Sequence, residues 1–122
     1  MAYTLLIEDD TDLREEIREY LQRRRHKVRD VAKIGEAREA ILEQVPDVVI
    51  SDINLPDGNG GMFCVEHAPQ YPRTKWLLMS GDPNSAHYGQ QLKRDPDDAS
   101  FSVLIKPVPM RILEDFVRQI SV

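Results

Sequence analysis

The sequence alternates between short apolar runs and longer segments whose apolar residues recur at helical spacing. The runs cover residues 3–7, 48–50, 75–79 and 101–105, and a weaker alternating run covers residues 27–32. Strands separated by helices favour a doubly wound α/β fold, because the crossover between parallel strands is nearly always right-handed and helical. Five such units predict one five-stranded parallel sheet in the order 2-1-3-4-5, with helices on both faces.

The segments between and after these runs predict five helices. Their apolar stripes cover residues 13–21, 37–45, 62–68, 85–94 and 112–120. Asp10 or Thr11 is expected to cap the first helix, and Asp95-Pro96 is expected to end the fourth. The stripe of the fifth, with Pro109 near its start, is the clearest in the chain and includes Ile112, Leu113, Phe116, Val117 and Ile120.

Length and composition exclude several classes of protein. With 122 residues, 41% of them hydrophobic, the chain is expected to form one domain over residues 1–122. Its formal charge of −5 argues against direct binding of nucleic acid, which needs clustered cations to displace counterions from phosphates. Without a run of about 18 apolar residues or a signal-like N-terminus, the sequence predicts no contact with a membrane and a cytoplasmic location.

The single cysteine and the three histidines are not expected to carry chemistry. Cys64 has no partner for an internal disulfide and is predicted to be a small buried hydrophobe. His26, His67 and His87 lack the spacing of metal ligands, so they are predicted to lie on the surface.

Polar side chains follow four of the predicted strands. Glu8 and Asp9 follow the first strand, Asp52 the third, Ser80 the fourth and Lys106 the fifth. Taken singly, each is explained by a helix cap, an Asx-turn or an ordinary loop. In the predicted strand order, however, these ends share one edge of the sheet, where ligands bind in such folds. Carboxylates for Mg²⁺, a cation and a hydroxyl together predict a phosphoryl acceptor.

Four motifs resemble those of the receiver domain of two-component response regulators. They are LLIEDD (5–10), DINLPDGNG (52–60), MSG (79–81) and LIKP (104–107), and they occur in the family's order along the whole chain. The resemblance implies a flavodoxin-like fold and a signalling role, with no enzymatic activity beyond the domain's own phosphorylation and dephosphorylation. A histidine kinase or a histidine phosphotransfer protein is the implied phosphoryl donor, and the output partner is left open.

The resemblance also implies a role for each residue at the strand ends. Asp52 is implied as the phosphoacceptor. The implied ligands of Mg²⁺, or of Mn²⁺, are Glu8, Asp9, Asp52 and the backbone carbonyl of Asn54. Ser80 is implied to bind the phosphoryl group, and Lys106 to pair with it.

Three features depart from the family's usual pattern. Val103 stands three residues before the lysine, where receivers commonly carry an aromatic side chain that reports phosphorylation. Gly61 replaces a large apolar residue, and the segment from Ser80 to Lys106 is several residues longer than usual. Because a β-branched valine has one strongly preferred rotamer, we expect the output to run through residues 82–102 instead.

Two alternatives use the same residues. A haloacid dehalogenase-like phosphatase also has an aspartate after a strand, but it usually carries a second aspartate two residues later as general acid and base. Asn54 occupies that position and cannot transfer a proton in that way. The other alternative is a pseudo-receiver that only binds partners, which the complete acceptor set argues against.

Overall fold

Five parallel strands form the centre of the molecule. The computed structural model describes residues 2–92 and 101–119. Within them, the main sheet has the order β2-β1-β3-β4-β5, which confirms the predicted topology. The strands are β1 (Tyr3–Ile7), β2 (Lys27–Val31), β3 (Val48–Asp52), β4 (Lys75–Ser80) and β5 (Phe101–Ile105).

Helices connect the strands and cover both faces of the sheet. They are α1 (Thr11–Arg23), α2 (Ile34–Glu43), α3 (Gly60–His67), α4 (Pro83–Gln91) and α5 (Met110–Arg118). Asp10 caps α1, since its carboxylate accepts hydrogen bonds from the amides of Asp12 and Leu13. Among the described residues, no helix combines the length and the apolar character that crossing a bilayer requires.

Successive side chains along each strand point to opposite faces of the sheet, so the molecule has two hydrophobic cores, one on each face. On β1, Leu5 and Ile7 face the cluster that includes Phe63 and Trp76, while Leu6 faces the opposite cluster. The first cluster packs under α2 and α3, and the second under α1 and α5. Strands buried on both faces are expected in a parallel sheet, and they hold the strand ends in fixed register.

Several boundaries differ from the predicted ones. Asp52 is the last residue of β3, paired with Met79, whereas the sequence placed it beyond the strand. Helix α4 begins at Pro83, and its predicted end at residues 95–96 lies outside the described residues. Helix α5 buries Leu113 and Val117 from the predicted apolar stripe, whereas Ile112 is 40% exposed and lies outside the core. The predicted stripe position at residue 120 is also outside the described part.

Two predictions about single residues had different outcomes. Cys64 is fully buried, and burial raises the pKa of its thiol, in agreement with its predicted role as a small hydrophobe. The surface position predicted for His26 is wrong, because its ring is buried between the start of β1 and α5. The amide of Ala2 donates to Nδ1 at 3.3 Å, and Nε2 lies 3.4 Å from Oε1 of Glu114. Both partners are distant in sequence, so local spacing could not identify them.

The two hydrophobic cores predict how single substitutions change the stability of the fold. Leu77 lies on a central strand and is fully buried, whereas Leu42 on α2 is 81% exposed. Leu77→Ala is expected to lower the free energy of unfolding by about 2–5 kcal/mol, because it leaves a cavity in a packed interior. The matched change Leu42→Ala should stay within about 0.5 kcal/mol of the parent. Urea unfolding followed by circular dichroism measures both, and equal losses would contradict this account of the core.

Candidate functional site

The carboxyl ends of β1, β3, β4 and β5 meet at one edge of the sheet. Asp52 ends β3, and Glu8 directly follows β1, which is the strand next to it. Ser80 ends β4 and is paired with Ile105, so Lys106 lies just beyond the next strand. The backbone amide of Lys106 donates to the carbonyl of Ser80 at 2.7 Å. The parallel topology therefore brings together side chains that are up to 98 residues apart in sequence.

Asp52 is largely buried and is held from two sides. Its side chain accepts a hydrogen bond at Oδ2 from Nζ of Lys106, at 2.8 Å, and at Oδ1 from the amide of Asn54, at 3.3 Å. The residue is only 8% exposed, so the carboxylate reaches the surface of the sheet edge without being freely solvated. Its orientation is set by one cation and one backbone amide.

Glu8 is fully buried beneath this edge. Oε1 accepts a hydrogen bond from Nζ of Lys106 at 2.6 Å, and Oε2 accepts one from the amide of Asp10 at 3.2 Å. Burial raises the pKa of the Glu8 carboxyl, and the hydrogen bond from Lys106 opposes that shift. A buried carboxylate needs such partners, since an unpaired buried charge is strongly unfavourable.

Lys106 is the cation shared by both carboxylates. Burial by itself lowers the pKa of its ammonium group, but the hydrogen bonds to Asp52 and Glu8 outweigh it, so the pKa is raised. The side chain therefore stays charged near neutral pH. The peptide bond from Lys106 to Pro107 is cis.

Asp9 completes a group of three carboxylates. One carboxylate oxygen from each of Glu8, Asp9 and Asp52 lies within 4.8 Å of the others. Asp9 is exposed, whereas the other two are buried, so the group opens toward solvent on the side of Asp9. An all-oxygen set of this kind fits a hard divalent cation such as Mg²⁺, which binds through one or two carboxylates and keeps several waters.

The other two predicted site residues, Asn54 and Ser80, lie nearby and differ in their exposure to solvent. Asn54 follows Asp52 by two residues and is exposed. Ser80 is fully buried, and its hydroxyl donates to the backbone carbonyl of Asp82 at 2.6 Å and accepts from the amide of Asp82 at 3.2 Å. The structure thus brings the six predicted residues to one edge, with the hydroxyl of Ser80 engaged by the loop before α4.

Two residues that support this edge were not predicted from the sequence. A Cβ atom on Gly60 would lie 1.9 Å from the carbonyl oxygen of Asp52, so only glycine lets α3 begin this close to β3. Arg14 donates to the carbonyl of Glu8 at 2.9 Å and also bonds Asp30 at 3.3 Å. The position of Gly60 at the end of the DINLPDGNG motif was a signal for the first. Nothing local to Arg14 indicated the second.

Comparison with known proteins identifies the family. The family model described as "Response regulator receiver domain" matches residues 4–118. The response regulator protein PilR of Pseudomonas aeruginosa is 29% identical over 114 residues, which are 93% of this chain and 24% of PilR. The sensor kinase CckA of Brucella abortus is 31% identical over 121 residues, which are 97% of this chain and 12% of CckA. The chain spans less than a quarter of the length of either relative.

The fold is also shared with solved structures. A two-component response regulator from Clostridium difficile superposes with a TM-score of 0.83 at 21% identity, covering 99% of this chain and 96% of that one. At that identity the likeness shows the fold alone, and the family model supplies the assignment. Because that model matches nearly the whole chain, the protein belongs to the response regulator receiver domain family.

Proposed function

We propose that Asp52 is the phosphoacceptor of a two-component phosphorelay. The observation that carries this proposal is the position of its carboxylate, 2.8 Å from the ammonium group of Lys106 and within a group of three carboxylates. The amide of Asn54 donates to the same carboxylate, and glycine at position 60 lets α3 begin against the backbone carbonyl of Asp52. The same edge is open to solvent at Asp9, which gives a donor access.

The proposed reaction transfers a phosphoryl group from phosphohistidine to a carboxylate oxygen of Asp52. The bond between that oxygen and phosphorus forms as the bond between phosphorus and the imidazole nitrogen breaks, and the imidazole leaves. The nucleophile is a carboxylate oxygen that already accepts a hydrogen bond from Lys106, so the step needs no general base. Transfer of this kind depends mainly on positioning and on stabilising charge, which is the role we assign to Lys106.

The residues that would hold the metal ion are Glu8, Asp9, Asp52 and the backbone carbonyl of Asn54. When bound, Mg²⁺ or Mn²⁺ offsets the negative charge that accumulates when an anionic phosphoryl group approaches a carboxylate. Asp9 lies exposed at the open side of the carboxylate group, whereas Glu8 is fully buried and joined to Lys106. We therefore assign Asp9 direct contact with the metal and Glu8 contact through water.

Ser80 and the loop before α4 provide the proposed link to output. For the hydroxyl of Ser80 to bind a phosphoryl group on Asp52, it has to leave the carbonyl of Asp82, which it now contacts at 2.6 Å. That bond lies directly before Pro83, the first residue of α4. Loss of the bond changes how the start of this helix is held.

Helix α4 also packs closely on β5 and on Ile53, the residue that follows β3. A Cβ atom on Gly89 would lie 3.2 Å from both methyl groups of Val103 and 3.1 Å from Ile53. A Cβ atom on Gly61 would lie 2.7 Å from the side chain of Leu92, which takes the space of the missing large residue. The glycines allow these contacts, and movement of α4 is the route that we propose in place of the aromatic side chain usual at position 103.

The bounds of the domain, its location and its partners are also part of the proposal. We propose that the domain covers residues 1–122, lies in the cytoplasm, receives its phosphoryl group from a histidine kinase or a histidine phosphotransfer protein, and changes its contacts with a downstream protein. Similarity to PilR and to the sensor kinase CckA supports a phosphorelay setting. A haloacid dehalogenase-like phosphatase is disfavoured by the family and by Asn54, and a pseudo-receiver is the alternative that phosphorylation tests.

The first functional prediction is that Asp52 is modified by a small acyl phosphate. With acetyl phosphate and Mg²⁺, intact-protein mass spectrometry should show one phosphoryl adduct, which is lost in Asp52→Asn. Asp115→Asn is the matched control: this carboxylate bonds Arg118 on the same helix, α5, and the variant should be modified like the parent. An adduct that persists in Asp52→Asn would contradict the assignment, and the absence of an adduct in the parent would favour the pseudo-receiver.

The second prediction separates the two acidic residues after β1. Asp9→Asn should weaken Mg²⁺ binding by roughly tenfold or more, because it removes a charge that attracts the metal ion. Two unit charges about 4 Å apart attract each other by about 1 kcal/mol in bulk water and about 4 kcal/mol near a protein surface. Glu8→Gln should weaken it less, since the Glu8 carboxylate is already engaged by Lys106. Isothermal titration calorimetry measures both affinities. Unchanged affinity in Asp9→Asn would show that the metal is held elsewhere.

The third prediction concerns output. Beryllofluoride, a mimic of the phosphoryl group, should change hydrogen exchange in α4 (Pro83–Gln91), because the hydroxyl of Ser80 is expected to release the carbonyl of Asp82. The same addition to Asp52→Asn is the control and should change nothing. If the changes are confined to the neighbourhood of Asp52 and Lys106, with α4 unaltered, this route of output is wrong.

A further inference from the structure

Asp57 connects the loop after the proposed acceptor to the start of α2. Its carboxylate accepts a hydrogen bond at Oδ1 from the amide of Ile34, at 2.9 Å, and at Oδ2 from the amide of Gly35, at 3.1 Å. The N-cap residue of α2, Lys33, makes no capping bond with its own side chain. The helix is therefore capped by a residue more than 20 positions away, on a different element.

The loop that carries Asp57 is a small antiparallel ribbon. Asn54 and Leu55 pair with Asn59 and Gly58, respectively, and the turn between them is formed by Pro56 and Asp57. Gly58 has a φ of +154°, and a Cβ atom there would lie 2.9 Å from the side chain of Ile34. The tip of the ribbon thus meets α2 through both the carboxylate of Asp57 and the backbone of Gly58.

The base of the ribbon is attached to the acceptor. The amide of Asn54 donates to Oδ1 of Asp52 at 3.3 Å, and the amide of Gly60 donates to the carbonyl of Ile53 at 2.7 Å. A ribbon of two residues per strand is marginally stable by itself, so its position depends on what holds its ends. The ribbon is attached to Asp52 at its base and to α2 at its tip, and Asn54 lies between these two attachments.

We propose that Asp57 is a positioning residue for the metal site: its contact with α2 fixes the ribbon and thereby the backbone carbonyl of Asn54. This inference rests on the proposed function, in which that carbonyl binds Mg²⁺. Mg²⁺ demands nearly ideal octahedral geometry, so a displaced carbonyl weakens binding even when the carboxylate ligands are intact. Groups that orient metal ligands without touching the metal typically affect affinity by about 10–100-fold.

A residue that only stabilised the start of α2 would not affect Mg²⁺ binding, and Glu36 provides that comparison. Oε1 of Glu36 accepts a hydrogen bond from the amide of Ala32 at 3.2 Å, which also supports the start of α2. Glu36 makes this bond away from the ribbon and carries the same charge as Asp57. Glu36→Ala therefore removes one acidic support of the helix while leaving the ribbon's contact with α2 in place.

The test is calorimetric titration of the whole chain with Mg²⁺ alone. Asp57→Ala is expected to weaken Mg²⁺ binding by roughly tenfold. Asp57→Asn retains one amide oxygen as an acceptor, so it should bind Mg²⁺ better than Asp57→Ala. If loss of charge were the only cause, the two variants would bind alike. Glu36→Ala should lower the melting temperature and leave the Mg²⁺ affinity unchanged.

Three results would overturn the inference: parental affinity in Asp57→Ala, equal affinities in Asp57→Ala and Asp57→Asn, or an equal loss in Glu36→Ala. Failure of the proposed function is distinct, because the parent itself would then bind no Mg²⁺ or would bind it equally well after Asp9→Asn.

A second measurement needs no variant at position 57. Coupling between two sites is reciprocal, so Mg²⁺ bound at the acceptor edge should stabilise the contact between the ribbon and α2. Hydrogen exchange at the amides of Ile34 and Gly35 should therefore slow when Mg²⁺ is added to the parent protein. Unchanged exchange at both amides, with Mg²⁺ bound through Asp9, would also refute the inference.

Discussion

The site depends on one buried interaction, in which the ammonium group of Lys106 joins the carboxylates of Glu8 and Asp52 at 2.6 and 2.8 Å. Two acidic groups this close, one of them fully buried, repel each other and lose hydration on folding, so they need a shared cation. The raised pKa of Lys106 follows from the same hydrogen bonds. A pocket that already holds excess negative charge around one cation is also suited to a divalent metal ion, which supplies further positive charge.

The parallel sheet explains how this pocket is built from distant parts of the chain. Four of the five strands bring polar residues to the same edge, and the two apolar cores lie behind it on the two faces of the sheet. The connecting loops then determine the finer positions. Gly60 allows α3 to begin against the carbonyl of Asp52, and the hydroxyl of Ser80 is held by the loop before α4. In the proposed function, the sheet therefore carries the acceptor, while the loops provide the parts that respond to its phosphorylation.

Most of the architecture was predictable, because strand order and the polar strand ends follow from apolar periodicity and the rules for parallel sheets. Most of the candidate site residues were predicted from their positions after strands, which apolar runs and helical spacing locate, and Asn54 was added by the family resemblance. What could not be predicted depends on contacts between distant residues. The burial of His26 against Glu114, the bond from Arg14 to the carbonyl of Glu8 and the capping of α2 by Asp57 leave no local pattern. Exact boundaries were also missed: Asp52 lies within β3 because pairing with Met79 continues the strand.

The most direct test of the account is a crystal structure with Mg²⁺ and beryllofluoride. We expect beryllofluoride on Asp52 with Nζ of Lys106 beside it, the metal bound by Asp9, Asp52 and the carbonyl of Asn54, and the hydroxyl of Ser80 turned away from the carbonyl of Asp82. A metal ion bound elsewhere would contradict the account. Beryllofluoride absent from Asp52, with Lys106 still joining Glu8 and Asp52, would contradict it equally.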